Sequence, residues 1–435
     1  MPSPKDKQRH TTSKTTSPVQ SRGRTRSRTG TPSPNRRSRT RYKRSRYYRR
    51  RRQRFFLIAG AAAFLLLLVL IFSIRGCVKS HSGKEENAVL EAAETDGTLV
   101  SMSSAEEEAL KEKAAEPVSL TVSVVGDCTL GTDVSFNYST SLNAYYDVNG
   151  KDYFFQNVRD IFQKDDLTIA NMEGTLTTLE TREAKQFAFK APPEYAGILS
   201  SGSVEAVNMA NNHSKDYGEQ SYTDTLAALD QEGIVHFGYD ETAVMDIKGV
   251  KVGLVGIYEL NDHLGREQQL KDNIAKVKEE GAQLVIVIFH WGNEKQEVPD
   301  SNQTTLGRLA IDEGADLVCG HHPHVLQGIE TYKGKNIVYS LGNFCFGGNS
   351  APSDTDSMIF QQTFTIGENG VQADNVTNII PCSISSAYGY NNYQPTPAEG
   401  TEADRILQKI EERSSYIQPA SEASETAEAA GAISQ

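Results

Sequence analysis

The chain has 435 residues, a net charge of −11 and five scattered cysteines, which is long enough for a real core and too thiol-poor for a disulfide-framed scaffold. Its charge is unevenly divided: residues 1–54 hold 20 Lys and Arg against one acid, Asp6, so the remainder carries 25 basic and 55 acidic residues, a net of −30. Opposite charges of that size exclude one uniform surface and imply two compartments or two different partners.

Residues 1–54 combine Ser, Thr, Pro and Arg with almost no aliphatic side chains, so they form no core and read as a disordered basic tail. Within them, Arg41–Arg54 interleaves Tyr42, Tyr47 and Tyr48 with cations. Beside an apolar segment, that pattern suits anionic lipid headgroups better than nucleic acid. Phe55–Ile74 is that segment, twenty residues without a charge, long enough at ~1.5 Å each to cross a ~30 Å hydrocarbon layer. With its basic flank held in the cytoplasm, it predicts an uncleaved, single-pass signal anchor in the cell membrane and an extracellular C-terminal part. Ile74-Arg75-Gly76-Cys77 faintly suggests a lipoprotein cleavage site, which Arg75 fits badly. Residues 75–116 form a polar, Ala- and Glu-rich linker, partly helical around Glu106–Ala115 and closed by Pro117.

From Val118 the pattern becomes one of strands and amphipathic helices. Strands are predicted over Val118–Val125, Asp166–Asn171, Val204–Met209, Val250–Tyr258, Gln283–Phe289 and Asp316–Cys319. Helices are predicted over Tyr153–Phe162, Tyr195–Ser201, Gly218–Gln231, Glu267–Glu280 and Thr304–Glu313. This alternation argues for an α/β domain over residues 117–414 with parallel pairings. After Asn336–Ser340 only strands follow, at Met358–Ile366 and Val376–Pro381, which implies antiparallel additions or a second sheet. Thr401–Ser414 reads as a last amphipathic helix, and residues 415–435 as a disordered tail.

Nearly every predicted strand runs into polar groups suited to a metal or phosphate. The first ends in Gly126-Asp127 and the next in Asn171-Met172-Glu173. Others lead into Asn211-Asn212-His213 with Asp216, into His290-Trp291-Gly292, into Gly320-His321-His322-Pro323-His324 and into Ser340–Phe344. Each has a plain structural alternative, since strand-end Asp and Asn often cap turns and a lone histidine is often a satisfied core residue. Parallel strands, however, bring their C-terminal ends to one edge, and oxygen and imidazole donors meeting there suit Mn, Fe or Zn, as one ion or a pair. Cys128, Cys319 and Cys345 lie beside these motifs and Cys382 further on, and all four read as small buried hydrophobes.

Taken in order over Val118 to Ser385, these motifs resemble the bacterial CapA family of poly-γ-glutamate capsule-synthesis proteins. The resemblance implies a metallophosphoesterase-like, four-layer α-β-β-α sandwich in an outward-facing envelope protein. It implies metal ligands at Asp127, Asn171, Glu173, Asn212, His290, His322 and His324, with His321 able to replace His322. It also implies an acid–base role for His213, oriented by Asp216. Where metallophosphoesterases place a histidine after the opening aspartate, this chain has Thr129, which bears on the second metal and on phosphate esters as substrates. Two functions follow as expectations. One is a metal-dependent hydrolase or transferase of an extracellular anionic polymer. The other is a non-catalytic subunit that guides the polymer while its anchor docks a synthase or exporter.

Overall fold

The computed structural model describes residues 116–420. The predicted basic tail, membrane anchor, all but the last residue of the linker, and residues 421–435 lie outside them. Among the described residues no helix is long and apolar enough to cross a membrane.

In chain order the elements are β1 (Val118–Thr129), α1 (Leu142–Asn149), α2 (Arg159–Phe162), β2 (Leu167–Met172), β3 (Thr175–Leu176), β4 (Lys190–Ala191), α3 (Gly197–Ser201), β5 (Ala206–Asn208) and α4 (Glu219–Glu232). Then come β6 (Val235–Phe237), β7 (Ala243–Ile247), β8 (Val250–Tyr258), α5 (Glu267–Glu279), β9 (Leu284–His290), α6 (Ser301–Asp312), β10 (Leu317–His321), β11 (Ile329–Tyr332), β12 (Lys335–Val338) and β13 (Asn343–Phe346). The chain closes with β14 (Asp356–Gly367), β15 (Gly370–Val371), β16 (Val376–Ser383), β17 (Thr396–Pro397) and α7 (Gly400–Ser415).

One sheet runs β17-β16-β14-β1-β2-β5-β6, with β13 beside the end of β1; the other runs β11-β12-β10-β9-β8-β7. Alternation along the strands assigns their faces. In β9, Leu284, Ile286 and Ile288 point into the core shared by the two sheets, and Val285, Val287 and Phe289 point outward beneath α5 and α6. In the larger sheet, Val122 and Val124 face the shared core, whereas Val125 meets Phe162, Ile198 and Leu229 from the helical side. Three apolar cores thus separate two sheets and two helical layers, and Ile406 and Ile410 of α7 join the central core.

The predicted helix Tyr153–Phe162 shrinks to Arg159–Phe162. Phe154, Phe155, Val158 and Phe162 are all buried, and a run of turns lets the adjacent Phe154 and Phe155 both face the core where a regular helix would splay them ~100° apart. The late strands are antiparallel, as one of the two alternatives required, but they extend the first sheet: β14 pairs with β1 and β16 with β14.

Gly320 sets up the histidine loop. A Cβ there would lie 2.2 Å from both Trp291 Nε1 and Tyr339 O, the two ends of a 2.8 Å hydrogen bond. Gly320→Ala is therefore expected to cost about 3 kcal/mol through overpacking and the broken bond. An unchanged urea midpoint for the full-length variant would refute that reading.

Candidate metal centre

Parallel register delivers the polar strand ends to two rows, one in each sheet, and not to the single edge expected from the strand pattern. In the larger sheet Asp127 sits between Asn343 and Asn171, and Asn171 sits beside Asn208. In the smaller sheet His290 lies between Tyr258 and His321. The β1–β2 pairing shifts register between Val124 and Asp127, the kind of irregularity that re-aims a side chain near a site.

Two groups of potential ligands result. Glu173, His290 and His322 form one, and Asp127, Glu173 and His324 the other, each with donor atoms within 4.8 Å of one another. Glu173 belongs to both. Its Oε1 lies 3.7 Å from His290 Nε2 and 3.9 Å from His324 Nε2, and its Oε2 accepts from Thr129 Oγ1 at 3.3 Å. Thr129, standing where a histidine was expected from the resemblance, thus anchors the shared carboxylate. Asp127 contacts His324 Nδ1 at 3.1 Å and His321 Nδ1 at 3.3 Å and accepts the His322 amide at 3.3 Å.

The other predicted ligands surround these groups. Asn171 donates to Asp127 Oδ1 at 2.8 Å and has Nδ2 3.3 Å from His290 Nδ1. Its own oxygen takes Asn208 and Asn211, at 2.9 and 3.3 Å. Asn212 Oδ1 lies 2.7 Å from His290 Nε2. His321 is buried beside Asp127 but in neither group. None of the four described cysteines joins a ligand group; all are buried free thiols.

Electrostatics fit a cation here. Glu173 Oε1, His322 Nδ1 and His321 Nε2 are buried without a hydrogen-bond partner among the described residues, a costly state that a bound cation relieves at the ligand atoms. Burial and then the nearby Asp127 push the Glu173 carboxyl up to about 8. Burial raises Asp127 as well, but hydrogen bonds from His321 and His324 outweigh it and hold this carboxyl well below its ordinary value. Burial, then the neighbouring His324, takes His322 down to about 3; burial and His322 hold His290 well below the usual imidazole range. Burial pulls His324 down too, yet Glu173 and Asp127 carry it up to about 10. The neutral imidazoles of His290 and His322 suit a borderline divalent ion, and its binding at Glu173 and His324 would displace the protons those two groups hold.

His213 and Asp216 form a separate pair on the loop after β5. His213 Nδ1 donates to Asp216 Oδ2 at 2.7 Å, which leaves Nε2 as the acceptor. Burial lowers the His213 pKa against the pull of Asp216. Asp216 also accepts Lys185 Nζ and the Phe189 amide, both at 2.6 Å, and Lys185 further binds the Asn212 carbonyl at 2.7 Å. Sequence reasoning missed Lys185, which sits in an aperiodic loop. It also passed over Asn208, which orients Asn171. A cleft of about 450 Å³ opens onto both His213 and His324, so the two predicted roles share one cavity.

The chain is similar to several known proteins of capsule and polymer synthesis. The family profile described as "Bacterial capsule synthesis protein PGA_cap" matches residues 121–348. A capsule biosynthesis protein CapA of Bacillus anthracis is 29% identical over 62% of this chain and 69% of its own. A PGA biosynthesis protein CapA of Bacillus subtilis is 31% identical over 52% of this chain and 63% of its own. A probable polyglutamine synthesis accessory protein of Mycobacterium tuberculosis is 28% identical over 41% of this chain and 55% of its own.

Proposed function

The chain belongs to the bacterial capsule synthesis protein family PGA_cap, and on that premise we propose that it acts in poly-γ-glutamate capsule or envelope-polymer biosynthesis as a metal-dependent hydrolase or transferase. The observation that carries this reading is one buried carboxylate, Glu173, shared by two ligand groups whose buried donors include unpartnered atoms. We read the paired sheets and outer helices as metallophosphoesterase-like.

Asp127, Glu173, His290, His322 and His324 would hold one or two Mn, Fe or Zn ions, with Asn171 and Asn212 beside them. Such an ion, when bound, polarises an electrophilic oxygen and acidifies a water. Asn171 holds Asp127 in place through its amide, and Thr129 does the same for Glu173. His213 presents a neutral Nε2 to the cleft, able to take up and return a proton, while Asp216 fixes its tautomer and Lys185 fixes Asp216. Phe189, packed 4.6 Å from the His213 ring, limits water on that side.

In the same proposal Phe55–Ile74 anchors the chain in the cell membrane. The basic tail lies against anionic headgroups in the cytoplasm, and the described domain meets an anionic polymer outside. A second reading is favoured by the word "accessory" in the mycobacterial relative's description: the domain guides polymer without chemistry while the anchor docks a synthase or exporter. Purified full-length chain should carry stoichiometric transition metal by elemental analysis, and a folded preparation that takes up none on titration ends the enzymatic reading. In cells, His213→Ala combined with His324→Ala should abolish polymer. Polymer that survives this pair but is lost when residues 55–74 are replaced would establish the accessory role instead.

A further inference from the structure

Two hollows lead away from the histidines and share Phe136 and Asn349 in their walls. The first, about 450 Å³, runs from His213 and His324 along Phe136, Phe187, Phe189 and Phe346. Phe136 and Phe187 have centroids 5.5 Å apart, Phe187 stacks on Phe189 at 6.3 Å, and Phe187 is 38% exposed. The second, about 270 Å³, is lined by hydroxyl and amide side chains such as Thr132, Asn137, Thr140 and Ser350, with no charged residue in its wall. Together they have the size and the mixed aromatic and polar lining of a small-ligand site.

Charge argues against an anionic occupant in this groove. Lys295 in the wall of the first hollow is matched by Glu294, Asp354 is paired with Lys409 at 3.3 Å, and the His324 imidazolium is paired with Asp127 at 3.1 Å. A run of carboxylates would lose water there without gaining counter-charge. Neutral hydrogen-bonding capacity, in contrast, is spare. Thr132 Oγ1 is buried without a partner. The Asn137 and Asn349 side chains use only their oxygens, accepting from Ser139 and Ala351, which leaves their amide nitrogens without a protein partner among the described residues.

We infer that this groove binds pyranose units of a neutral glycan, stacked on the Phe136–Phe187–Phe189 wall with their hydroxyls turned to the amide and hydroxyl hollow. A pyranose ring has an apolar CH face that buries against an aromatic ring and a hydroxyl rim that needs uncharged donors and acceptors. The inference goes beyond the proposed function and does not rest on it: an anionic polymer would be engaged at the metal ligands, and the glycan in the groove that leads away from them. Binding in the groove itself needs no metal.

The test is saturation-transfer NMR on the full-length chain in lipid nanodiscs, with chitotetraose, cellotetraose and maltotetraose as separate probes and tetra-γ-glutamate as the anionic comparison. At least one sugar should receive transfer to its ring protons, with and without EDTA. Phe187→Ala and Asn349→Ala, both at exposed positions, should each weaken that sugar about tenfold with no change in melting temperature. The idea is overturned if none of the three sugars responds, if the sugar signal survives both substitutions, or if only tetra-γ-glutamate binds and depends on Phe187. A chain that binds sugar but takes up no transition metal on titration would count against the proposed chemistry alone.

Discussion

Glu173→Gln strips the full-length chain of transition metal, its content falling at least about tenfold by elemental analysis. No other described residue serves both ligand groups, so the amide weakens both positions at once, where His322→Ala or Asp127→Asn would touch one. The same variant carries a pH signature. Burial and Asp127 hold the Glu173 carboxyl near 8 in the folded, metal-free chain, so between its ordinary value and 8 the folded state keeps a proton that the unfolded state has released. That contribution is fully present at low pH and is lost as pH rises through 8. Metal-free Glu173→Gln should therefore gain on metal-free wild type in melting temperature from about pH 5 to pH 8. Full metal retention, or a difference that does not change with pH, would remove Glu173 from the centre of the site.

Asp216→Ala is expected to destabilise the domain by about 3 kcal/mol or more, because it leaves an ammonium and a buried amide without their acceptor. Asp216 is fully buried and accepts three donors, Lys185 Nζ, the Phe189 amide and His213 Nδ1. Two of these belong to the loop before β4, which a second buried acid also ties down: Asp133 takes the Ala188 amide at 2.7 Å and Arg182 at 3.0 Å. His213→Ala removes only one of the three donors and should cost about 1 kcal/mol while still abolishing any chemistry that needs its Nε2. Urea unfolding of both variants separates the two cases. Equal losses would mean that His213, and not the loop contacts, is what Asp216 supports.

Much of this architecture was legible because its strands announce themselves. Leu284–His290 is seven buried residues ending in a ligand type, and Leu317–His321 repeats that form, so period and terminus could both be read. Convergence of Asp127 with Glu173, and of His290 with the His321–His324 loop, followed from parallel pairing within each sheet, whereas the meeting of the two sets needs the two sheets to face each other. Weakly patterned elements were not legible. Ala243–Ile247 is an edge strand with no buried residue, and α1 buries only Leu142, so neither carries a clear hydrophobic period. Nor does sequence record which side chains meet across loops. Lys185 and Asp216 are 31 residues apart, and nothing in their surroundings marks them as partners.

The middle of the larger sheet is made early and finished late. Val118 of β1 is matched with Ile366 of β14, so a ribosome working at roughly 5–20 residues per second delivers the second strand tens of seconds after the first. Through that interval one side of β1 is a bare ladder of amides and carbonyls, the kind of template that recruits foreign strands. A nascent chain stalled before Asp356 is thus a seed for clumping rather than a smaller working protein.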